Sequence, residues 1–304
     1  MKSETLLHSH HNNADEPATK LHWPDDSRQS EPGILNAVHE VAQRKPQVDG
    51  WHAPEMIWLH QVEETSAAKL RRGLEVGDPE RCSRILNIHV YWKLQPITNL
   101  SEKEFKRAWW LVVICHRILW VSDVRHYDVS LSNHMAYRTP DGLVMGIIND
   151  CDLSSSQNGT SGQERTAMVP FMAVDLVTKE AIEGNVEPLY QHVAESFIWV
   201  FIWVILQYED GKLLSKNRPL DYMLTIDAVD CQEFKCGFLK LAMENRIPVS
   251  PPHSPFWSSE PSFELAYLTK IAPYMEGSCL FRTWFTAQLP SLMRSLVQSL
   301  ARTK

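Results

Sequence analysis

Nowhere in the 304 residues does an apolar run last long enough to cross a bilayer. The longest, Phe197–Leu206, falls far short of the about 20 residues a spanning helix needs, so it reads as a buried core helix and no membrane partner is expected. Positive charge is not in excess either. The net charge is −7, from 30 Lys+Arg against 37 Asp+Glu, which gives no global pull toward nucleic acid or anionic lipid. Arg71-Arg72 is too short a basic patch to change that. Met1–Lys20 is polar and lacks the apolar core of a secretory signal, so an intracellular protein, cytoplasmic or nuclear, with reduced thiols is expected. The six cysteines, at 82, 115, 151, 231, 236 and 279, include no C-x-x-C pair, and the Cys231/Cys236 spacing does not suit a zinc knuckle. No internal repeat is present.

What is there belongs to a folded chain. Hydrophobic residues make up 44% and charged residues 22%, which excludes wholesale disorder. The eleven tryptophans are expected mostly in a core. Residues 1–19 read as a disordered leader, with His8, His10 and His11 as no more than a weak metal signal. Ser30 can cap a helix with Ile34, Leu35, Val38, Val41 and Ala42 on one stripe. Residues 46–54 form a turn-rich link. Arg84–Leu94 contains the β-prone stretch ILNIHVYW, a strand running into a connector at Gln95-Pro96. Ser101-Glu102-Lys103-Glu104 is a capping box that opens a long helix with Phe105, Ala108, Trp109, Val112 and Leu119 on one face. Val144–Ile148 reads as a short strand, residues 154–162 and 251–261 as loops, Glu195–Tyr208 as a central helix and Ser291–Ala301 as an amphipathic helix. Mixed elements in the first third and helices thereafter predict an α+β fold of two lobes, divided at about residue 94.

The chemistry concentrates in Arg125–Leu153. His126-Tyr127-Asp128-Val129-Ser130-Leu131-Ser132-Asn133 follows a long helix, and Asn149-Asp150-Cys151-Asp152-Leu153 follows a short strand. An aspartate that orients a substrate hydroxyl, an asparagine beyond it, and a second aspartate on a neighbouring loop form the layout of a phosphotransferase site. The oxygens of Asn133 and Asp150 suit Mg²⁺. Singly, each residue would read as a turn former; the spacing of all three together points to the site.

These segments resemble the fungal-type protein kinases, from about Lys20 to about Lys240. The likeness is carried by Lys20-Leu21-His22-Trp23-Pro24 with Arg28-Gln29-Ser30-Glu31, by Lys93–Thr98, by His126–Asn133 and by Asn149–Leu153. It continues through Glu164-Arg165-Thr166, Pro170-Phe171-Met172-Ala173, and His192 with Glu195-Ser196-Phe197. The resemblance implies a two-lobed protein-kinase-like fold, with a truncated small β-rich lobe over 20–94 and a larger, mainly helical lobe over 95–304. It implies ATP and Mg²⁺ between the lobes and a protein substrate. Lys20 is similar to the strand lysine that holds the nucleotide phosphates, and Glu31 to its ion-pair partner, placed in the first helical turn by Pro32. Asp128 is similar to the catalytic base, and Asn133 and Asp150 to the Mg²⁺ ligands.

The chain departs from that pattern in several places. The 19 residues before Lys20 contain no glycine, so the loop that covers the phosphates is expected to be missing and phosphoryl transfer to be slow. Tyr127 replaces an arginine, Cys151 a bulky aromatic, Asp152 a glycine, Ala167-Met168 a Gly-Thr pair, and Val193 a helix aspartate. Three readings stay open: a protein kinase, a catalytically inactive pseudokinase acting as a scaffold, and a small-molecule phosphotransferase of the aminoglycoside type.

Overall fold

The computed structural model describes residues 16–24, 30–44, 54–62, 67–76, 84–150, 168–216 and 218–243. The expected loops at 154–162 and 251–261, the helix at 291–301, Cys151, Asp152 and Ala167 lie outside these residues.

The first elements are strand β1 (Pro17–His22), helix α1 (Glu31–Arg44), β2 (Met56–Val62), the short α2 (Ala67–Gly73) and β3 (Leu86–Trp92). β1 starts at Pro17, so Pro17–Thr19, assigned above to a disordered leader, are strand: each pairs with β3, Pro17 opposite Trp92 and Thr19 opposite Val90. The three strands form an antiparallel sheet in the order β1-β3-β2. β2 was not anticipated. Its five central residues are all exposed, so it shows none of the alternation by which a half-buried strand declares itself.

β3 alternates strictly, but Asn87, His89 and Tyr91 are buried while Ile88 and Val90 are only half-buried. A strand that buries its polar residues and leaves its aliphatic ones on the other face is organised around something polar. α1 begins at Glu31, where Pro32 requires it to begin. It buries Ile34, Leu35, Val38 and Val41 from the expected stripe, with Ala42 half-buried at its edge.

Next come β4 (Gln95–Pro96), a 3₁₀ turn at Ile97–Asn99, α3 (Glu102–Val121), β5 (His134–Arg138) and β6 (Val144–Ile148). The Gln95-Pro96 connector is hydrogen-bonded rather than free: it pairs with β5 as the edge strand of a sheet ordered β4-β5-β6. Its proline sits where an edge strand tolerates one. The chain continues through 3₁₀ turns at Val169–Phe171 and Val174–Leu176, then α4 (Lys179–Ile182), α5 (Tyr190–Gln207), the hairpin β7 (Tyr208–Glu209) and β8 (Lys212–Leu213), and α6 (Ala228–Met243). α5 is the expected central helix. Fifteen of its 18 residues are buried, against 12 of 20 in α3. Among the described residues no helix is long and apolar enough to cross a membrane.

Mixed helices and small antiparallel sheets make this an α+β fold. Two compact units interleave along the chain. One takes Met1–Ile97, Lys103–His126 and Ser132–Gly159; the other takes Thr98–Glu102, Tyr127–Leu131 and Thr160–Lys304.

Within the first unit, β6 lies against α3 so closely that a side chain at Gly146 has no room. A Cβ there would overlap the Ala108 carbonyl oxygen, with the carbonyl carbon at 2.7 Å and Val112 Cγ2 at 2.9 Å. The obstacle is helix backbone, which cannot rotate away. Gly146→Val is therefore expected to destabilise the fold by about 2 kcal/mol or more, as overpacking does, read as a lowered urea midpoint. A midpoint within error of the parent would show that the two elements can part freely.

Candidate functional site

The polar centre that β3 implies is Glu31. Its side chain is 2% exposed and lies at the first turn of α1, where the helix dipole favours negative charge. Lys20 Nζ donates to its two carboxylate oxygens at 3.3 and 3.2 Å. His89, fully buried, places Nδ1 at 2.9 Å from Glu31 Oε2 and at 3.2 Å from the Tyr91 hydroxyl. Strand register explains the convergence: Lys20 and His89 are direct cross-strand partners. A carboxylate this enclosed must be compensated, and two cross-strand groups compensate it.

The same ammonium reaches further. Lys20 Nζ lies 2.8 Å from Asp150 Oδ1, so one cation bridges a buried carboxylate and one that is 40% exposed. Asp150 follows β6 and holds a left-handed backbone with φ 61, a conformation that costs a non-glycine residue of order 1 kcal/mol. Histidine keeps it there. His126 Nε2 donates to the Asp150 carbonyl at 2.9 Å and to the Asn149 carbonyl at 3.2 Å. Both acceptors are carbonyls, which puts the proton on Nε2. His116 Nε2 in turn donates to the His126 carbonyl at 2.8 Å. Burial, reinforced by the neighbouring His126, pushes the His116 pKa down to about 3, so its ring is neutral.

Of the five residues singled out in the sequence, three meet here: Lys20, Glu31 and Asp150. Asn133 ends a 3₁₀ turn and is buried; its carbonyl accepts from the Asn149 amide at 2.8 Å, which ties it to the backbone beside Asp150. Asp128 lies in Tyr127–Leu131, part of the second unit, with one carboxylate oxygen buried.

Sequence motifs alone assign no role to His89, Tyr91 or His22. The signal was available: Asn87, His89 and Tyr91 recur at period two inside a β-prone run, which marks one polar face. In the second unit they assign none to Lys235. That side chain is fully buried on α6; its Nζ donates to the Met172 carbonyl and, at 3.2 Å, to the Val169 carbonyl, and lies 4.8 Å from the Trp199 ring centroid. Burial pulls its pKa down to about 8. Glu195 accepts from the Val174 amide at 2.9 Å and from Trp199 Nε1 at 3.0 Å, and burial raises its pKa. The Pro170–Ala173 segment is thus gripped by buried charge.

Residues 95–205 match the family model for the fungal protein kinases. The match runs from β4 into α5. It contains Asp128, Asn133, Asp150, Pro170–Ala173 and Glu195-Ser196-Phe197, and it leaves out Lys20 and Glu31, so it is narrower than the resemblance read from about Lys20 to about Lys240. The likeness supports a kinase-like function. No curated protein matches the chain.

Two outcomes follow from the geometry. Lys20→Met and Glu31→Gln should be coupled. The lysine is 29% exposed and solvent screens part of the pair, so the double-mutant coupling is expected at about 1 kcal/mol by urea unfolding. Additive effects would show that the pair carries no energy. His116 should also set the acid limb of stability. Its folded pKa lies below the unfolded value, so protonation favours the unfolded chain. Its contribution is complete above about pH 6.5 and is lost as the pH falls toward 3, by up to about 1.4 kcal/mol per pH unit. His116→Gln should flatten that slope; an unchanged slope between pH 4 and 6.5 would assign acid sensitivity elsewhere.

Proposed function

We propose that the protein is an ATP- and Mg²⁺-dependent phosphotransferase acting on protein hydroxyls. The observation that carries this reading is the Lys20 ammonium held between Glu31 and Asp150. A lysine fixed by a buried carboxylate, and still 29% exposed, is a cation positioned for an anionic ligand. Lys20 would hold the nucleotide phosphates. Asn133 and Asp150 offer the hard oxygen donors that Mg²⁺ takes. When bound, the ion neutralises charge that builds on the transferred phosphoryl group. The chain's own residues do the rest. Glu31 fixes where the Lys20 ammonium sits. His126 fixes the Asp150 backbone. Asp128 would orient the substrate hydroxyl and take its proton at a carboxylate oxygen.

The second reading, a pseudokinase that binds without turnover, is favoured by Val193. It is 3% exposed in the core of α5, at the position where the resemblance implies an aspartate. Tyr127 and Met168 point the same way. The aminoglycoside-type alternative is disfavoured by Pro170–Ala173, an element typical of a peptide-docking segment.

Thermal-shift and phosphoryl-transfer assays on the full chain decide between these. With turnover, Asp128→Asn should cut the rate by at least about a hundredfold while leaving the Mg-ATP thermal shift in place, and Lys20→Met should remove that shift. No Mg-ATP shift in the parent, and no difference among the three proteins, would sink the phosphotransferase reading in favour of the scaffold.

A further inference from the structure

We propose that His22, Glu31 and His89 form a binding site for a divalent transition metal such as Zn²⁺, and that the metal competes with Lys20 for Glu31. The three side chains offer ligand atoms that all lie within 4.8 Å of one another. In a tetrahedral site with metal–ligand bonds of about 2.1 Å, neighbouring ligand atoms stand about 3.4 Å apart, so about 1.4 Å of closure at most is required. His89 Nδ1 and Glu31 Oε2, now at 2.9 Å, would instead part by about 0.5 Å as the metal takes the place of the proton between them. Two imidazoles and one carboxylate form a donor set that suits Zn²⁺, Co²⁺ or Ni²⁺ and is too nitrogen-rich for Mg²⁺ or Ca²⁺.

The surroundings allow the closure. His22 is half-buried at the end of β1, and its ring meets that of His89 edge-on with centroids 5.9 Å apart. The His89 ring is held on its Nδ1 side by Glu31 and Tyr91, while its Nε2 makes no hydrogen bond among the described residues. Closure therefore falls to the half-buried His22, whose ring lies at the end of β1.

Competition follows from charge. Glu31 Oε2 serves both the Lys20 ammonium, at 3.2 Å, and the prospective metal. An ammonium and a dication cannot share so enclosed an oxygen without strong repulsion. The ammonium has an alternative, because Asp150 Oδ1 already lies 2.8 Å away. Metal uptake would then release Lys20 from α1 and leave it on Asp150. The consequence for turnover rests on the phosphotransferase reading above; the metal site does not.

The test is a Co²⁺ titration of the full 304-residue chain, followed by visible absorption and repeated on His22→Ala, His22→Gln and Lys20→Met. His8, His10, His11 and the cysteines can take Co²⁺ elsewhere, so the difference between proteins is the readout. Both His22 variants should lose one equivalent or bind it at least about tenfold more weakly. Lys20→Met, relieved of the competing charge, should bind that equivalent about tenfold more tightly or better. Unchanged binding in both His22 variants overturns the site. Unchanged or weaker binding in Lys20→Met overturns the competition. The titration contains no nucleotide. A chain that binds Co²⁺ through His22 but gains nothing from Mg-ATP would therefore retire the phosphotransferase reading and leave this one standing.

Discussion

A carboxylate that is 2% exposed at the start of a helix is the constraint from which the first unit is organised. Left alone there, Glu31 would cost several kcal/mol, because burying an uncompensated charge is among the most destabilising events in a core. The chain answers with two groups from one sheet, Lys20 of β1 and His89 of β3, which face each other across the ladder. That answer fixes the register. A slip of one residue would turn His89 away and put Ile88 in its place. It also explains why β3 buries asparagine, histidine and tyrosine while its aliphatic residues face the other way. The sheet is docked on α1 by a charge, with the apolar stripe of α1 supplying area but little direction.

Asp150 joins this network from a distant part of the sequence, and its position is relayed through packing. α3 buries His116, whose neutral ring donates to the His126 carbonyl; the His126 ring then donates to the Asp150 carbonyl. The first step is one hydrogen bond and the second is shared between the Asn149 and Asp150 carbonyls, so the left-handed backbone at Asp150 is imposed by its neighbours. The tight seat of Gly146 against Ala108 serves the same end, because it fixes the hairpin from which Asp150 emerges. The outcome is a lysine whose ammonium is held from two sides, by one carboxylate that cannot move and one that solvent still reaches.

Much of this was legible in the sequence, and the exceptions have physical causes. The start of α3 just after Ser101, the stripe of α3, the short strand at Val144–Ile148 and the apolar helix around Trp199 follow from period and composition, which report burial directly. Asp150 is singled out by the spacing of its motif, whereas Lys20 and Glu31 are singled out only by the family resemblance. β2 was not legible, because a strand exposed along its middle carries no alternation. His89 was missed because a histidine among isoleucine and valine reads as a strand residue until the register shows which carboxylate it faces. Lys235 was hidden for the opposite reason: a lysine on an amphipathic helix normally lies in solvent. Only the fold shows that its ammonium ends on two carbonyls.

The second unit repeats the device with the sign reversed. α5 is apolar nearly all round, and apolar surfaces slide over one another with little preference for position. Pro170–Ala173 nonetheless has to hold one conformation. Phe171 contributes an edge-on contact with Trp203, at 5.3 Å between ring centroids, which selects a face but not an orientation of the backbone. The buried Lys235 supplies the orientation by donating to the carbonyls on either side of Pro170-Phe171, while Glu195 takes the Val174 amide that follows. A pKa drawn down to about 8 measures how unwelcome that ammonium is in the core. Well-packed apolar residues could replace such a charge at no loss of stability, but they could not hold two carbonyls and an amide in register. In both units, then, hydrophobic burial supplies the driving force and one enclosed charge decides how the groups around it are placed.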